Sequence, residues 1–524
     1  MSRTKNATRN LMFGVLSKAQ QIFIPFLMRT IMIYFLGIQY LGLNSLFTSV
    51  LSVLNLAELG VGSAMVFSMY KPIAENDKTT ICALMRLYRI YYRIIGAVIL
   101  VAGLCLLPFI PKLIKGPVPP DMNVYILYLL NLLTTVFTYW LFAYKNSILT
   151  AHQRRDIRSK ISLTTMMIRY GLQIVAIIFL RSYYDYIMVA LLTQIASNII
   201  TAIISNKMYP DFHPAGKLPK EEVKQINQRI RDVFTAKLGG TITNSADTIV
   251  ISAFLGLSIL AMYQNYYFIM NSVLGFIMII FTASKASIGN SIVTESVDKN
   301  FFDYRRMTFL LLWLSTICIC CFMCMYQPFM KLWMGEKRML GIDIVILLCM
   351  YFFVYLLNQL SCVYKDAAGI WHQDRFRPLI SGLANLALNL ATVRWLGLYA
   401  IVLSTVVSYI FVCMPWLYYN LSKVLFKRSM KSYVFEVIRG AISIAVIAGI
   451  CYGICRFIPL DGILKLAANG MVAVIVSNVM FYMFYRKNEL FNPTIDLFEY
   501  ITGGKFNGIL DKLKLTGFVK ENAK

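Results

Sequence analysis

Two arginines stand inside strongly apolar stretches of this 524-residue chain: Arg29 in "FIPFLMRTIMIYFLG" and Arg169 in "SLTTMMIRYGLQIVAIIFL". A charge inside a bilayer is costly, and where it persists it usually marks a functional site. The guanidinium is a planar fork of donors that suits the oxygens of a phosphate. Glu58 can pair with one of the two arginines, which leaves a positive surplus, and a surplus cation in a membrane cavity calls for an anionic ligand. Lys18 precedes Arg29 by eleven residues, three helical turns or about 16 Å of axis, so the two share a face. Gln21 and Pro25 lie on the same stripe, and Pro25 frees a backbone carbonyl and favours a kink. Lys18 also has a stem long enough to snorkel to the membrane surface.

Neutral polar residues recur at helical spacing in other apolar runs: Ser45, Thr48, Ser52, Asn55 and Glu58; Ser162, Thr165, Arg169 and Gln173; Lys237, Thr241, Asn244 and Thr248, with Asp247 beside them; Gln264, Tyr267 and Asn271; Ser381, Asn385 and Asn389. Such stripes serve either helix–helix hydrogen bonding or a polar substrate. Asn244 and Asn385 join Arg29, Arg169 and Lys18 as candidate substrate-binding residues. Glu58 and Asp247 are candidates for ion coupling or charge pairing.

A third constellation is duplicated. "YKNSILTAHQRRDIR" (144–158) and "YKDAAGIWHQDRFRP" (364–378) both place Tyr-Lys six residues before His-Gln-x-Arg, and they hold two of the chain's three histidines. One histidine per copy is too few for a metal site. His152 with Arg155, and His372 with Arg375, are instead candidates for a gate on the inner side. There, basic residues suit both a helix C-terminus and an anionic leaflet.

These residues need elements to hold them. With 58% hydrophobic residues, and apolar runs of about 20 residues recurring throughout, the chain is predicted to be an all-α polytopic membrane protein. Fourteen spans are expected: 12–36, 41–68, 90–110, 123–145, 161–180, 185–206, 235–254, 259–284, 307–330, 342–364, 379–395, 398–420, 436–457 and 465–485. No signal peptide is expected, because the first run is too long and no small-residue cleavage site follows it. The net charge of +26 is a topological signal rather than a nucleic-acid footprint. With the N-terminus inside, 39 of the 51 Lys and Arg fall in cytoplasmic segments, nine fall outside and three within spans. Both termini are therefore expected on the cytoplasmic side. Most of the eleven cysteines lie in apolar runs, and "CICCFMC" (318–324) reads as core rather than metal site.

The duplication extends to a whole unit. "LSKAQQIFIPFLMRTIMIYFLG" (16–37) aligns with "TAKLGGTITNSADTIVISAFLG" (235–256) at nearly the same offset as the Tyr-Lys motifs. Six spans per copy give both copies one orientation, a parallel repeat. The expected plan is an N-lobe (1–206), a cytoplasmic linker (207–234), a C-lobe (235–420), two further spans (421–485) and a cytoplasmic tail (486–524). Val223, Ile226, Ile230 and Val233 predict an amphipathic helix in the linker, and "NGILDKLKLTGFVK" (507–520) can form another. No nucleotide loop, nucleophile elbow or zinc motif is present, and the expected outer loops are short, so an enzyme is not expected.

The stretches "FLGIQYLGLNSLFTSVLSVLNLAELGVGSAMVFSMYKPIAEND" (35–77), "NSADTIVISAFLGLSILAMYQNYYFIMNSV" (244–273) and "ASIGN" (286–290) resemble polysaccharide repeat-unit (O-antigen) flippases of the multidrug/oligosaccharidyl-lipid/polysaccharide (MOP) exporter superfamily. The Tyr-Lys…His-Gln repeat does so too, and the likeness runs over roughly residues 10–485. It implies two six-helix lobes that, by alternating access, move a polyprenyl-diphosphate-linked oligosaccharide across the cytoplasmic membrane of a bacterium. It also implies a cationic cavity, Na⁺ or H⁺ coupling as an option, no bound cofactor, and membrane lipids and other polysaccharide-assembly membrane proteins as partners. A cation-coupled multidrug exporter of the same fold, and a membrane glycan polymerase or ligase, are the alternatives.

Overall fold

The computed structural model describes residues 20, 22–116, 118–152 and 154–502. Lys18, Gln21 and the 507–520 segment lie outside them, and Arg155 and Asn244 are described in backbone only. Every element among the described residues is helical. In chain order these are α1 (Ile22–Phe35), α2 (Ile38–Leu54), α3 (Val61–Ala74), α4 (Lys78–Leu106), α5 (Val124–Trp140), α6 (Lys145–Ala151), α7 (Arg155–Val175), α8 (Tyr183–Met208) and α9 (Lys220–Leu255). They continue as α10 (Leu257–Thr294), α11 (Val297–Met334), α12 (Ile342–Ala367), α13 (Arg377–Leu396), α14 (Leu398–Ser408), α15 (Met414–Asn420), α16 (Lys431–Arg456), α17 (Gly462–Tyr485) and α18 (Phe491–Thr502).

Thirteen of the expected spans coincide largely with helix, and so does the described part of the first, from Ile22. Among the described residues eleven helices are long and apolar enough to cross a membrane, or twelve when α5 and α6, bent by 56° at their junction, count as one. The two that fall short are α1, described only from Ile22, and α9, whose membrane-depth half carries Thr241, Asn244 and Asp247. The chain is a multi-pass membrane protein. The linker's amphipathic pattern does form helix, but that helix runs on without a break into the seventh span, as the first part of α9.

Local chemistry explains several ends. Asp77 caps α4 by accepting from the Thr80 amide (3.0 Å), Asn123 caps α5, and Ser182 caps α8. Within spans the hydroxyls turn back on their own helix: Ser45 donates to the Leu41 carbonyl (2.9 Å), Thr48 to Asn44 (2.8 Å) and Ser52 to Thr48 (2.7 Å). These three are satisfied locally, not across helices, which is the cheap solution for Ser and Thr in a span.

The chain divides into two compact units. One contains the residues up to Gln264 together with Pro378–Gly397. It thus holds α1–α9, the first turns of α10, and α13. Close backbone approaches bind α9 to α13 and α2 to α10 there. A Cβ built on Gly239 would stand 2.0 Å from the Pro378 carbonyl carbon, and one on Gly42 would stand 2.2 Å from the Leu257 carbonyl oxygen. Glycines at such crossings let helices meet backbone to backbone. The second unit contains Asn265–Arg377 and the chain from Leu398 onward. Its core packs Tyr304 of α11 edge-on against Tyr364 and tilted against Phe426 and Tyr433, with ring centroids 4.8–5.1 Å apart. The Tyr304 hydroxyl lies 2.7 Å from Ser361 Oγ, and Arg305 forks onto Glu436 at 3.0 and 2.6 Å.

Candidate functional site

In the first unit α1, α7, α8, α9, α10 and α13 contribute to one polar constellation. Arg29 projects from α1, half-buried, with Nη1 3.5 Å from the Gln264 carbonyl at the start of α10. Arg169 projects from α7. Both guanidinium groups lie within electrostatic reach of Tyr186 on α8. Tyr186 is fixed from two sides: Gln173, one turn beyond Arg169, donates to its carbonyl at 2.9 Å, and its ring stacks 5.5 Å from that of Tyr183. Arg169 Nε is buried without a hydrogen-bond partner, and Arg169 forms no ion pair among the described residues. A buried donor left unbonded costs free energy, and a phosphate oxygen is a partner that this N–H could take.

The polar chain continues along α9. Gln264 donates to Thr248 Oγ1 (3.0 Å), and next to Thr248 the Asp247 carboxylate accepts from Asn389 of α13 (2.7 Å). Asn389 lies 3.4 Å from Asn385 Oδ1, and both asparagines are fully buried. Arg29, Arg169, Asp247 and Asn385 are thus brought into one unit and joined through Tyr186, Gln264, Thr248 and Asn389.

Glu58 stands apart from the arginines. At the α2–α3 junction its Oε1 accepts from the Tyr92 hydroxyl (3.1 Å), which in turn accepts from Tyr88 (2.7 Å). The Arg–Glu58 pairing considered from sequence is not among the ion pairs of the described residues. Glu58 faces a separate polar cavity of about 740 Å³ within the same unit.

The two Tyr-Lys…His-Gln copies, one in each unit, are packed by their first halves. Tyr144 and Tyr364 are buried. Lys145 donates to the Phe212 carbonyl (3.1 Å), and Lys365 reaches Asp366 (2.8 Å) and Asp374 (3.4 Å). The histidines differ. His152 is half-buried, its ring 4.4 Å from Tyr209 and its Nδ1 3.0 Å from the Ile148 carbonyl. His372 is exposed, and so is Arg375, which lies over the Phe376 ring at 4.7 Å.

Sequence reasoning missed the ion pair beside the second copy. Asp374 and Arg377 are both buried and bonded twice, at 2.6 and 2.9 Å. Arg377 also contacts Asn358 and Cys413. The available signal was an acid three residues before an arginine at the start of α13 and just ahead of Pro378. Tyr186 carries no local signal, since tyrosines abound in the apolar runs, whereas Gln173 belongs to the polar stripe that the sequence shows on the helix of Arg169.

No family model matches the chain, and no curated protein sequence does. Solved structures do match in fold. A lipid II flippase MurJ in an inward closed conformation superposes with a TM-score of 0.61 at 14% identity, covering 91% of this chain and 99% of that one. An inward-facing multidrug resistance MATE family transporter of the MOP superfamily gives a TM-score of 0.55 at 16% identity, covering 76% and 93%. An outward-facing MATE transporter gives 0.50 at 14% identity, covering 78% and 93%. At these identities the likeness is one of fold, and the chain has the architecture of these membrane transporters.

Proposed function

We propose that the protein flips polyprenyl-diphosphate-linked oligosaccharide repeat units across the bacterial cytoplasmic membrane, with both termini in the cytoplasm. The observation that carries this reading is the convergence of Arg29 and Arg169 on Tyr186, with Arg169 Nε buried and unbonded. The diphosphate binds the two guanidinium groups. The amide and hydroxyl groups around Gln264, Thr248 and Asn385 bind polar parts of the substrate, and the lipid tail stays in the bilayer. Asp247 and Glu58 are the carboxylates available for Na⁺ or H⁺ coupling. The fold likeness supports a transporter, and its extent over the flippase, 91% of this chain against 76% for the inward-facing MATE transporter, favours a flippase over a small-molecule exporter. The test is deletion of the gene followed by chemical analysis of the lipid pool. A flippase leaves a lipid-diphosphate-linked glycan accumulated on the cytoplasmic side. An exporter leaves that pool unchanged and alters drug tolerance, and a polymerase or ligase leaves repeat units reaching the outer face.

A further inference from the structure

The cavity beside Glu58 lies wholly within the first unit and takes its lining from α3 to α8 and the α2–α3 junction. It owes its shape to a broken span. α5 and α6 meet at 56°, and at the break Phe142 sits in the left-handed region with φ 57°. That conformation is strained for a bulky residue and persists only where the surroundings impose it. The break disturbs the carbonyl ladder, and the buried Asn198 side chain takes up the Phe137 and Thr138 carbonyls at 3.1 and 3.5 Å. Irregular backbone at membrane depth is tolerated where it lines a cavity, and broken helices are where membrane transporters place their ligands.

The lining says what kind of ligand fits. Glu58 and Arg158 supply one negative and one positive charge, so the cavity has no net charge to offer. The rest alternates aromatic faces (Tyr88, Tyr139) with amides (Gln194, Asn146) and hydroxyls. Apolar C–H faces edged by hydroxyl groups are the signature of a sugar ring, and this combination complements both. A volume of about 740 Å³ is far larger than a cation needs and lies within the range of small-molecule sites. The placement is equally specific. Arg158, Ser162, Thr165 and Arg169 occupy one face of α7, and Thr165 Oγ1 lies 3.5 Å from Ser197, a lining residue. Ser162 is seven residues from Arg169, about 10 Å along the axis.

We infer that this cavity is a subsite for the neutral sugar residues of the substrate, reached along the α7 face from a diphosphate held at Arg29 and Arg169. The inference rests on the flippase reading for its ligand, and the two are separable by experiment. Two probes are titrated into full-length purified protein: polyprenyl diphosphate without sugar, and the free oligosaccharide released by mild acid from the pool that accumulates in the deletion strain. Ser162→Phe fills the cavity from an exposed position, and Gln194→Ala removes one amide. Both variants are expected to weaken oligosaccharide binding about tenfold or more while leaving polyprenyl diphosphate binding unchanged. Oligosaccharide binding that is absent in the wild type, or indifferent to both substitutions, overturns the subsite even when the diphosphate binds. A wild type that binds the oligosaccharide but not the diphosphate overturns the cationic site and leaves the sugar subsite standing. The absence of any accumulated lipid-linked pool overturns both.

Discussion

Arg29 of α1 and Arg169 of α7, on helices far apart in sequence, both lie within electrostatic reach of the Tyr186 hydroxyl on α8. Two like charges near one neutral hydroxyl make a site that favours an anion. Removing that hydroxyl tests how much of the arrangement is charge and how much geometry. Tyr186→Phe keeps the ring stacked on Tyr183 and deletes one neutral dipole, so transport should fall no more than about tenfold. Arg169→Lys keeps the charge but loses the fork, and it should cost more than Tyr186→Phe. Transport rates of the two variants at equal membrane abundance check the order.

The contact of α9 with α13 predicts a contrast between adjacent glycines. A methyl group on Gly239 would meet the Pro378 backbone at 2.0 Å, whereas nothing lies within 4 Å of one on Gly240. Gly239→Ala should therefore reduce the yield of folded protein and lower its thermal midpoint, because backbone cannot move aside as a side chain can. Gly240→Ala should leave both within experimental error. Fluorescence-detected size-exclusion chromatography across a heating series provides the comparison.

The buried Asp374–Arg377 pair predicts non-additivity. Removing Asp374 leaves Arg377 as an uncompensated buried charge, so Asp374→Asn should cost roughly 3–5 kcal/mol of stability, whereas Arg377→Gln leaves Asp374 with Lys365 at 3.4 Å and should cost less. The double substitution removes both charges, and it should cost less than the sum of the single ones. Thermal unfolding of the four proteins measures the coupling. Strict additivity would show that the pair does not act as a unit.

In the first copy of the duplicated motif Lys145 and His152 both engage the 209–219 segment, whereas His372 of the second copy is exposed. Lys145→Met should expose the 209–219 segment, whose Phe212 carbonyl it binds at 3.1 Å, to limited proteolysis. His372→Ala, at an exposed position, should leave transport within about twofold of wild type.

The helical fold and the places of the spans were legible because membrane burial writes them as long apolar runs, which coincide largely with helix among the described residues. The candidate arginines were legible for the converse reason, since a charge stands out where charges are expensive. What stayed hidden depends on contacts between elements distant in sequence. Nothing local marks Tyr186 as the partner of two arginines, or the 141–144 break as the wall of a cavity. The bond between Glu58 and Tyr92 follows from the α2–α3 junction, which turns the Glu58 carboxylate toward α4. The seventh and eleventh spans meet each other at Gly239 and Pro378 and fall in one compact unit with the first six, a grouping that the sequence repeat does not reveal.

The central claim is that the two arginines bind the diphosphate of a lipid-linked glycan. Its most direct measurement is the initial rate of translocation of that glycan lipid in proteoliposomes containing full-length wild-type protein, Arg29→Gln, Arg169→Gln or the double variant. A charge-assisted phosphate contact is worth about 1.5–3 kcal/mol, so each single substitution should slow translocation by roughly tenfold to a hundredfold. The double variant should fall to the rate of empty liposomes. A double variant that translocates at the wild-type rate would contradict the account.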